Sequence, residues 1–154
     1  MSFRISGLLA EPFAELFSLT DEALAARRAK RVIADRAHGY PCRISLTDAE
    51  PGQSLILLNY THQPADSPFH SSYAIYIREG EQQYKNVDAV PDQLRRRLLS
   101  VRSFDQHGML RDADVAQGTA LEPLIEKLFA DDTVAYLHIH IARPGCYAAR
   151  VDRA

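Results

Sequence analysis

The sequence has no tryptophan, only two cysteines, and no excess of charge of either sign. Cys42 and Cys146 are too few for a secreted disulfide scaffold, and they lack the C-x-x-C spacing of a structural zinc site. Eighteen basic against twenty acidic side chains give a net charge of −2. Nucleic-acid coat proteins and polybasic membrane binders depend on excess positive charge, so this balance argues against both classes.

Long hydrophobic runs are also missing. Glu11 and Glu15 interrupt the N-terminal apolar stretch before the core of a signal peptide or a spanning helix is complete. The longest strongly apolar run elsewhere covers only residues 55–58. We therefore expect a cytoplasmic protein with free thiols and no membrane partner.

The chain does have the composition of an ordinary soluble domain. Its 154 residues are 46% hydrophobic and 25% charged, and a chain of this length can bury roughly 70% of its unfolded surface. No internal repeat and no Gly/Ser-rich or Pro-rich linker divides it. A single domain over residues 1–154 is the simplest prediction.

Two segments of the first half carry clear patterns. Thr20 is a predicted N-cap, acidic residues follow it, and Gly39 can end the helix, so we expect a helix between them. Residues 54–60 form a continuous apolar run typical of a buried strand, and residues 73–78 alternate like a second strand. The long polar loop at residues 62–72 lies where function is often found.

In the second half of the chain, the sequence pattern predicts two hairpins with a helix between them. One hairpin turns at His107-Gly108, residues 121–129 have helical spacing, and the terminal hairpin turns at Pro144-Gly145. Strands in runs with interspersed helices indicate an α+β domain. We expect a mainly antiparallel sheet, about three to four helices and a C-terminal β-hairpin.

The sharpest chemical feature is the pair His138 and His140 in the penultimate strand. Alternation places both imidazoles on one face and Leu137, Ile139 and Ile141 on the other. The apolar set suits the core, so the histidines line either solvent or a pocket. Two imidazoles spaced in this way can also share a metal ion.

A second pair, His62 and His70, flanks the long polar loop. If the neighbouring strands pair antiparallel, the ends of this loop approach each other. With Asn59, this pair would then join His138 and His140 in a polar pocket. Hydrogen-bonded or solvated histidines are the structural alternative.

Cys146 follows the terminal turn closely enough to suggest a Cys/His nucleophile. Pairing around Pro144-Gly145 opposes His140 with Ala149 and puts Cys146 on the face away from the histidines. A small buried residue is therefore the favoured interpretation. The same register places Arg150 on the apolar face, with Ile139 and Ile141.

The basic residues give a weaker signal. The consecutive residues Arg95, Arg96 and Arg97 fan apart on a predicted helix, so we expect that these three do not form one patch. Three others, Arg27, Arg28 and Arg31, share one helix face. No aromatic side chains interleave with the basic clusters, which argues against nucleic acid as a partner. The sequence contains no phosphate-binding loop, dinucleotide fingerprint or serine nucleophile elbow, and no cofactor is indicated.

Several segments together resemble the bacterial family named domain of unknown function 1203. They are PCR at 41–43, EPG at 50–52, LLNY at 57–60, HQPA at 62–65, YAIYIRE at 73–79, AYLHIH at 135–140 and RPGCYAAR at 143–150. The resemblance covers nearly the whole chain. It implies a small, single-domain, cytoplasmic bacterial protein, and it supplies no activity that can be assigned residue by residue.

Three functional hypotheses follow. The first is a pocket for a small polar or anionic ligand formed by Asn59, His62, His70, His138 and His140, with His138 or His62 as the candidate general base of an enzyme. The second is a non-catalytic interaction module, such as a homodimer, with an aromatic face of Tyr73, Tyr76, Tyr136 and Tyr147. The third is an enzyme whose metal is held by His62, His70, His138 and His140.

Overall fold

The computed structural model describes residues 1–154 and contains nine strands and three α-helices. The strands are Phe3–Ser6 (β1), Ala29–Ile33 (β2), Ser54–Gln63 (β3), Ser71–Ile77 (β4), Lys85–Val87 (β5), Leu98–Phe104 (β6), Leu110–Gln117 (β7), Tyr136–Ile141 (β8) and Tyr147–Arg153 (β9). The α-helices are Asp21–Ala26 (α1), Asp92–Arg95 (α2) and Leu121–Phe129 (α3), and 3-10 helices cover Glu11–Ser18 and Gly118–Ala120. None of the helices has the length and hydrophobicity that a membrane span requires.

Six strands form the larger sheet in the order β5-β1-β9-β8-β6-β7, and every neighbouring pair is antiparallel. One face of this sheet packs against α3. Leu137 and Ile139 of β8 meet Leu121 and Ile125 of α3 in a cluster of 19 buried residues. The apolar residues that recur with helical spacing in α3 and those that alternate along β8 therefore pack in one core, as the sequence patterns predict.

The smaller sheet has the order β2-β3-β4 and a core of its own. Ile56 and Ile75 pack with Phe13 of the first 3-10 helix and Leu24 of α1 in a cluster of nine buried residues. The end of β3 reaches the face of the larger sheet that α3 leaves open. There the side-chain amide of Gln63 donates to the hydroxyl of Tyr136 over 2.9 Å.

The predicted fold class is confirmed: the chain is an α+β domain with mainly antiparallel sheets. The hairpin β6-β7 turns at His107-Gly108, and the C-terminal hairpin β8-β9 turns at Pro144-Gly145. The helix predicted at residues 121–129 is α3. The loop between β3 and β4 is shorter than predicted, because β3 extends through Gln63.

The prediction of one helix between Thr20 and Gly39 is wrong for the second half of that segment. Thr20 does cap α1, since its hydroxyl accepts from the Ala23 amide over 3.1 Å. The helix ends after six residues, because Arg28 takes a left-handed backbone conformation with φ of 54°. Residues 29–33 then form β2 and pair with β3. Tertiary strand pairing outweighs the local helical signal.

Candidate functional site

Three histidines from the two sheets lie together where β3 reaches β8. The ring centroids are 5.0 Å apart for His62 and His140, 6.3 Å for His62 and His138, and 6.5 Å for His138 and His140. His138 and His140 are only 3% and 1% exposed. The His-x-His face of β8 therefore lines the junction between the sheets and not open solvent.

Aromatic rings surround this histidine cluster, which we define as His62, His138 and His140. Tyr147 stacks on His62 with centroids 5.3 Å apart and an interplanar angle of 12°. Its ring also makes a T-shaped contact with His138 at 5.1 Å, and the Phe104 ring lies 5.2 Å from His138. The imidazoles are thus held by ring packing in a largely apolar setting.

Two β-bulges shape the cluster. His62 is the extra residue of β3, since Thr61 pairs with Ser72 and Gln63 with Ser71. On β9 the extra residue is Ala148, because the pairing steps from Ile139–Ala149 to His140–Tyr147. A bulge bends its strand and re-aims the side chains beside it. Both bulges act where the histidines meet.

The bulge at Ala148 overturns part of the predicted hairpin register. His140 pairs with Tyr147 instead of Ala149, and His138 pairs with Arg150. Arg150 therefore lies on the histidine face and not on the apolar one, and its guanidinium stacks 4.1 Å above the Tyr136 ring. Cys146 is buried in the larger core, as the favoured interpretation predicts.

Burial keeps all three imidazoles neutral near pH 7. It lowers the pKa of His138 to about 3 and that of His140 to about 4, with nearby cationic or imidazole groups adding to the effect. The pKa of His62 is also lowered, first by burial and then by the charge of Arg102. Neutral imidazole offers one donor and one acceptor nitrogen, so the cluster can both give and accept hydrogen bonds.

Hydrogen bonding distinguishes the three rings. His140 Nδ1 lies 3.0 Å from the carbonyl oxygen of Gly145, and because a carbonyl only accepts, Nδ1 must carry the proton and Nε2 the lone pair. The Nδ1 atoms of His62 and His138 are buried and have no hydrogen-bond partner. Unpaired buried polar atoms cost about 1–3 kcal/mol each, so they are uncommon in structural cores.

A cavity of about 280 Å³ opens beside the cluster. Arg102 of β6 lines it and pairs across the sheet with His138. The only hydrogen-bond partner of its guanidinium is Ser100 Oγ at 3.4 Å, and no carboxylate lies within ion-pair distance. Burial lowers the pKa of Arg102, yet a guanidinium stays charged at neutral pH.

Two residues predicted for the pocket lie elsewhere. Asn59 is exposed and projects from the face of β3 opposite Leu58 and Tyr60, because neighbouring strand residues alternate. His70 is exposed in the loop after β3, where its Nδ1 lies 3.2 Å from the carbonyl oxygen of Ala65. The loop ends do approach each other, but the bulge turns His62 inward while His70 stays outside.

The four-histidine metal set does not assemble, since His70 is separate from the other three. No group of three or more His, Cys, Asp or Glu side chains is arranged to hold a metal ion. The cavity lining also contains no carboxylate.

The four tyrosines of the interaction hypothesis are spread over different surroundings. Tyr147 is 4% exposed inside the histidine cluster, whereas Tyr73 is 49% exposed. Tyr76 packs against Tyr40 with centroids 5.2 Å apart, and Tyr136 binds Gln63. They do not form one aromatic surface.

Sequence reasoning missed Arg102 and Phe104 as cavity residues. Both alternate with buried residues of β6, Val101 and Ser103, so their common face could be read from the sequence. Their position beside the histidines depends on the pairing of β6 with β8, which no local pattern indicates.

Comparison with known proteins gives one match. The family model described as "Protein of unknown function (DUF1203)" matches residues 39–153, a range that includes every residue of the histidine cluster and Arg102. No curated protein and no solved structure matches the chain. The match covers most of the sequence and agrees with the resemblance of its motifs. This chain therefore belongs to the DUF1203 family of proteins of unknown function.

Proposed function

We propose that the cavity beside the histidine cluster binds a small organic anion. The observation that carries the proposal is Arg102, a half-buried guanidinium that faces three neutral imidazoles and has no carboxylate partner. A charge held partly away from water is costly unless an opposite charge or several hydrogen bonds compensate it. A bound anion would supply that compensation.

The chemistry of the lining favours a carboxylate. A guanidinium matches the two oxygens of a carboxylate in a bidentate pair. The unpaired Nδ1 atoms of His62 and His138 can exchange hydrogen bonds with further polar groups of the ligand. Phe69, Phe104 and Leu110 provide apolar walls, which suit a short carbon skeleton better than an inorganic ion.

The size of the cavity favours a small ligand. Its volume of about 280 Å³ lies just below the roughly 300–1,000 Å³ typical of ligand pockets. The proposal concerns binding of the ligand. If the bound ligand also reacts, His62 is the residue that would transfer a proton. A pKa of about 3 makes His138 a weak base at neutral pH, whereas His62 is less buried.

Thermal unfolding with a panel of small mono- and dicarboxylates tests this function. A ligand present at 100 times its Kd should raise the free energy of unfolding by about 2.7 kcal/mol, and calorimetric titration should show one site. Arg102→Gln should abolish both effects, because it removes the charge and leaves a shorter, neutral polar side chain.

Arg28→Gln is the matched control, since Arg28 is exposed, forms no ion pair and lies outside the cavity. This variant should bind as tightly as the wild type. If no carboxylate binds the wild type, or if Arg102→Gln binds equally well, the proposed function is wrong. Tighter binding of orthophosphate than of any carboxylate would also contradict the proposal that the ligand is an organic anion.

A further inference from the structure

A second cleft, separate from the histidine cavity, concentrates positive charge. Its volume is about 580 Å³, and four arginines with His38 line it: Arg36, Arg96, Arg97 and Arg143. No acidic side chain belongs to the lining. The protein as a whole has a net charge of −2, so this cleft is a strong local departure from the overall balance.

Nearby carboxylates neutralise only part of this charge. Asp48 lies 3.0 Å from Arg97 and 3.8 Å from Arg96, and it also contacts His38 at 3.1 Å. Asp35 pairs with Arg36 at 3.2 Å, with both side chains exposed.

Arg143, on the turn between β8 and β9, makes neither an ion pair nor a hydrogen bond. Three guanidinium groups thus share two carboxylates, the fourth has none, and all four arginines line the cleft.

The base of the cleft is rigid. Arg97 has a side chain only 12% exposed, and its guanidinium donates to the carbonyl oxygens of Gln93 over 2.7 Å and His38 over 2.8 Å. Arg96 is held by His38 Nε2 at 2.9 Å. Because most of its N–H groups are already bonded, Arg97 contributes a fixed positive charge at the base, and the direct hydrogen bonds to an anion would come from Arg36, Arg96 and Arg143.

The expectation that Arg95, Arg96 and Arg97 all fan apart is wrong for Arg96 and Arg97. Helix α2 ends at Arg95, so Arg96 and Arg97 leave the helical spiral and line the same cleft. Only Arg95 diverges, and it pairs with Glu122.

We propose that this cleft binds a small polyanion that carries two or more phosphate groups. Arginine pairs with phosphate oxygens through parallel N–H bonds, and several guanidinium groups around one cleft suit several phosphates. The lining contains no Phe, Tyr or Trp ring, and the imidazole of His38 is bound by Asp48 and Arg96. The cleft therefore lacks the stacking platform that single-stranded nucleic acids or a nucleobase would use. Charge recognition therefore points to a short phosphate chain.

This inference is independent of the proposed function. The two cavities share no lining residue. Ile141 lines the basic cleft and His140 the histidine cavity, and neighbouring residues of β8 face opposite sides of the sheet. Substitutions in one site should leave the other intact.

Calorimetric titration of the full chain with inorganic triphosphate, at constant ionic strength, tests the inference. We expect one molecule to bind per chain, about tenfold or more tightly than orthophosphate or sulfate, because several ion pairs form at once. Arg143→Gln and Arg36→Gln should each weaken binding about tenfold. Both side chains are exposed, and neither packs in a core, so both variants should fold.

Arg28→Gln removes one exposed positive charge elsewhere and should bind triphosphate like the wild type. The inference is overturned if triphosphate binds no more tightly than orthophosphate, or if Arg143→Gln and Arg36→Gln leave its affinity unchanged. A single-stranded oligonucleotide that binds more tightly than triphosphate, and loses affinity in the same two variants, would also overturn it. Arg102→Gln should not affect triphosphate binding, which distinguishes the two sites.

Discussion

At the scale of single residues, His138 and His140 couple stability to pH. Their pKa values are about 3 and about 4 in the fold, whereas an unfolded histidine titrates near pH 6.5. As the pH falls below 6.5, the unfolded chain takes up protons that the folded chain does not. The free energy of unfolding should therefore fall, by up to about 1.4 kcal/mol per pH unit for each histidine.

Urea unfolding between about pH 7.5 and about pH 5 measures this slope, because in that range His138 and His140 take up protons only in the unfolded chain. His138→Gln should make the dependence shallower, because one titrating group is gone. His107→Gln is the control, since His107 is exposed at the turn between β6 and β7. A variant at 138 with the wild-type slope would show that burial of this imidazole does not set the pH dependence.

The same residues show what the sequence could reveal about the site. Alternation correctly placed His138 and His140 on one face of a strand, because the period of a strand is local information. Arg102 had no such signal: it joins the site only because β6 pairs with β8 in one register. Long-range pairing thus decides which local faces meet.

At the scale of elements, three bulges border the histidine cavity. Besides His62 and Ala148, Arg111 is an extra residue of β7, since Ser103 pairs with Asp112 and Phe104 with Leu110. Each bulge shifts a register by one and changes which side chains share a face. Their residue types are ordinary, so the sequence predicted the hairpins but not their final registers.

The short helix α1 shows the same limit from the helical side. Its cap at Thr20 was predictable from the first turn alone. The end of α1 depends on the backbone conformation of Arg28 and on the pairing of β2 with β3. β3 begins more than twenty residues after the end of β2. Start signals are local, whereas this stop signal is tertiary.

Gly118 gives a stability prediction at the junction of α2, β6 and the second 3-10 helix. A Cβ atom there would overlap the carbonyl oxygen of Leu94 and crowd the backbone of Arg95. Gly118→Ala should lower the free energy of unfolding by about 1–3 kcal/mol, the usual cost of overpacking. Chemical denaturation with constant m-values would measure the loss.

Gly39→Ala is the matched control. The three atoms nearest to its new Cβ belong to the side chain of Arg36, which is exposed and can shift more easily than the backbone that crowds residue 118. We expect a change within about 0.5 kcal/mol, as for most surface substitutions. Equal losses in both variants would mean that close backbone approach at residue 118 is not the cause.

At the scale of the whole molecule, the residues before the family match are part of the fold. Residues 1–38 lie outside the match at 39–153, yet they supply β1, α1 and β2. β1 lies between β5 and β9 in the larger sheet, with Phe3 and Ile5 buried in its core. β2 forms five residue pairs with β3 in the smaller sheet.

A chain of residues 39–154 should therefore fail to fold cooperatively. Its loss of β1 leaves β9 unpaired on one side and opens the larger core, and its loss of α1 and Leu24 uncovers the smaller one. The full chain should unfold in one transition, with far-UV circular dichroism and tyrosine signals coinciding.

A chain of residues 9–154, which lacks only β1 and the residues beside it, measures how much this strand alone contributes to stability. Within the full chain, Ile5→Ala should cost about 2–5 kcal/mol. Cooperative unfolding of residues 39–154 alone would instead make the matched segment an independent folding unit.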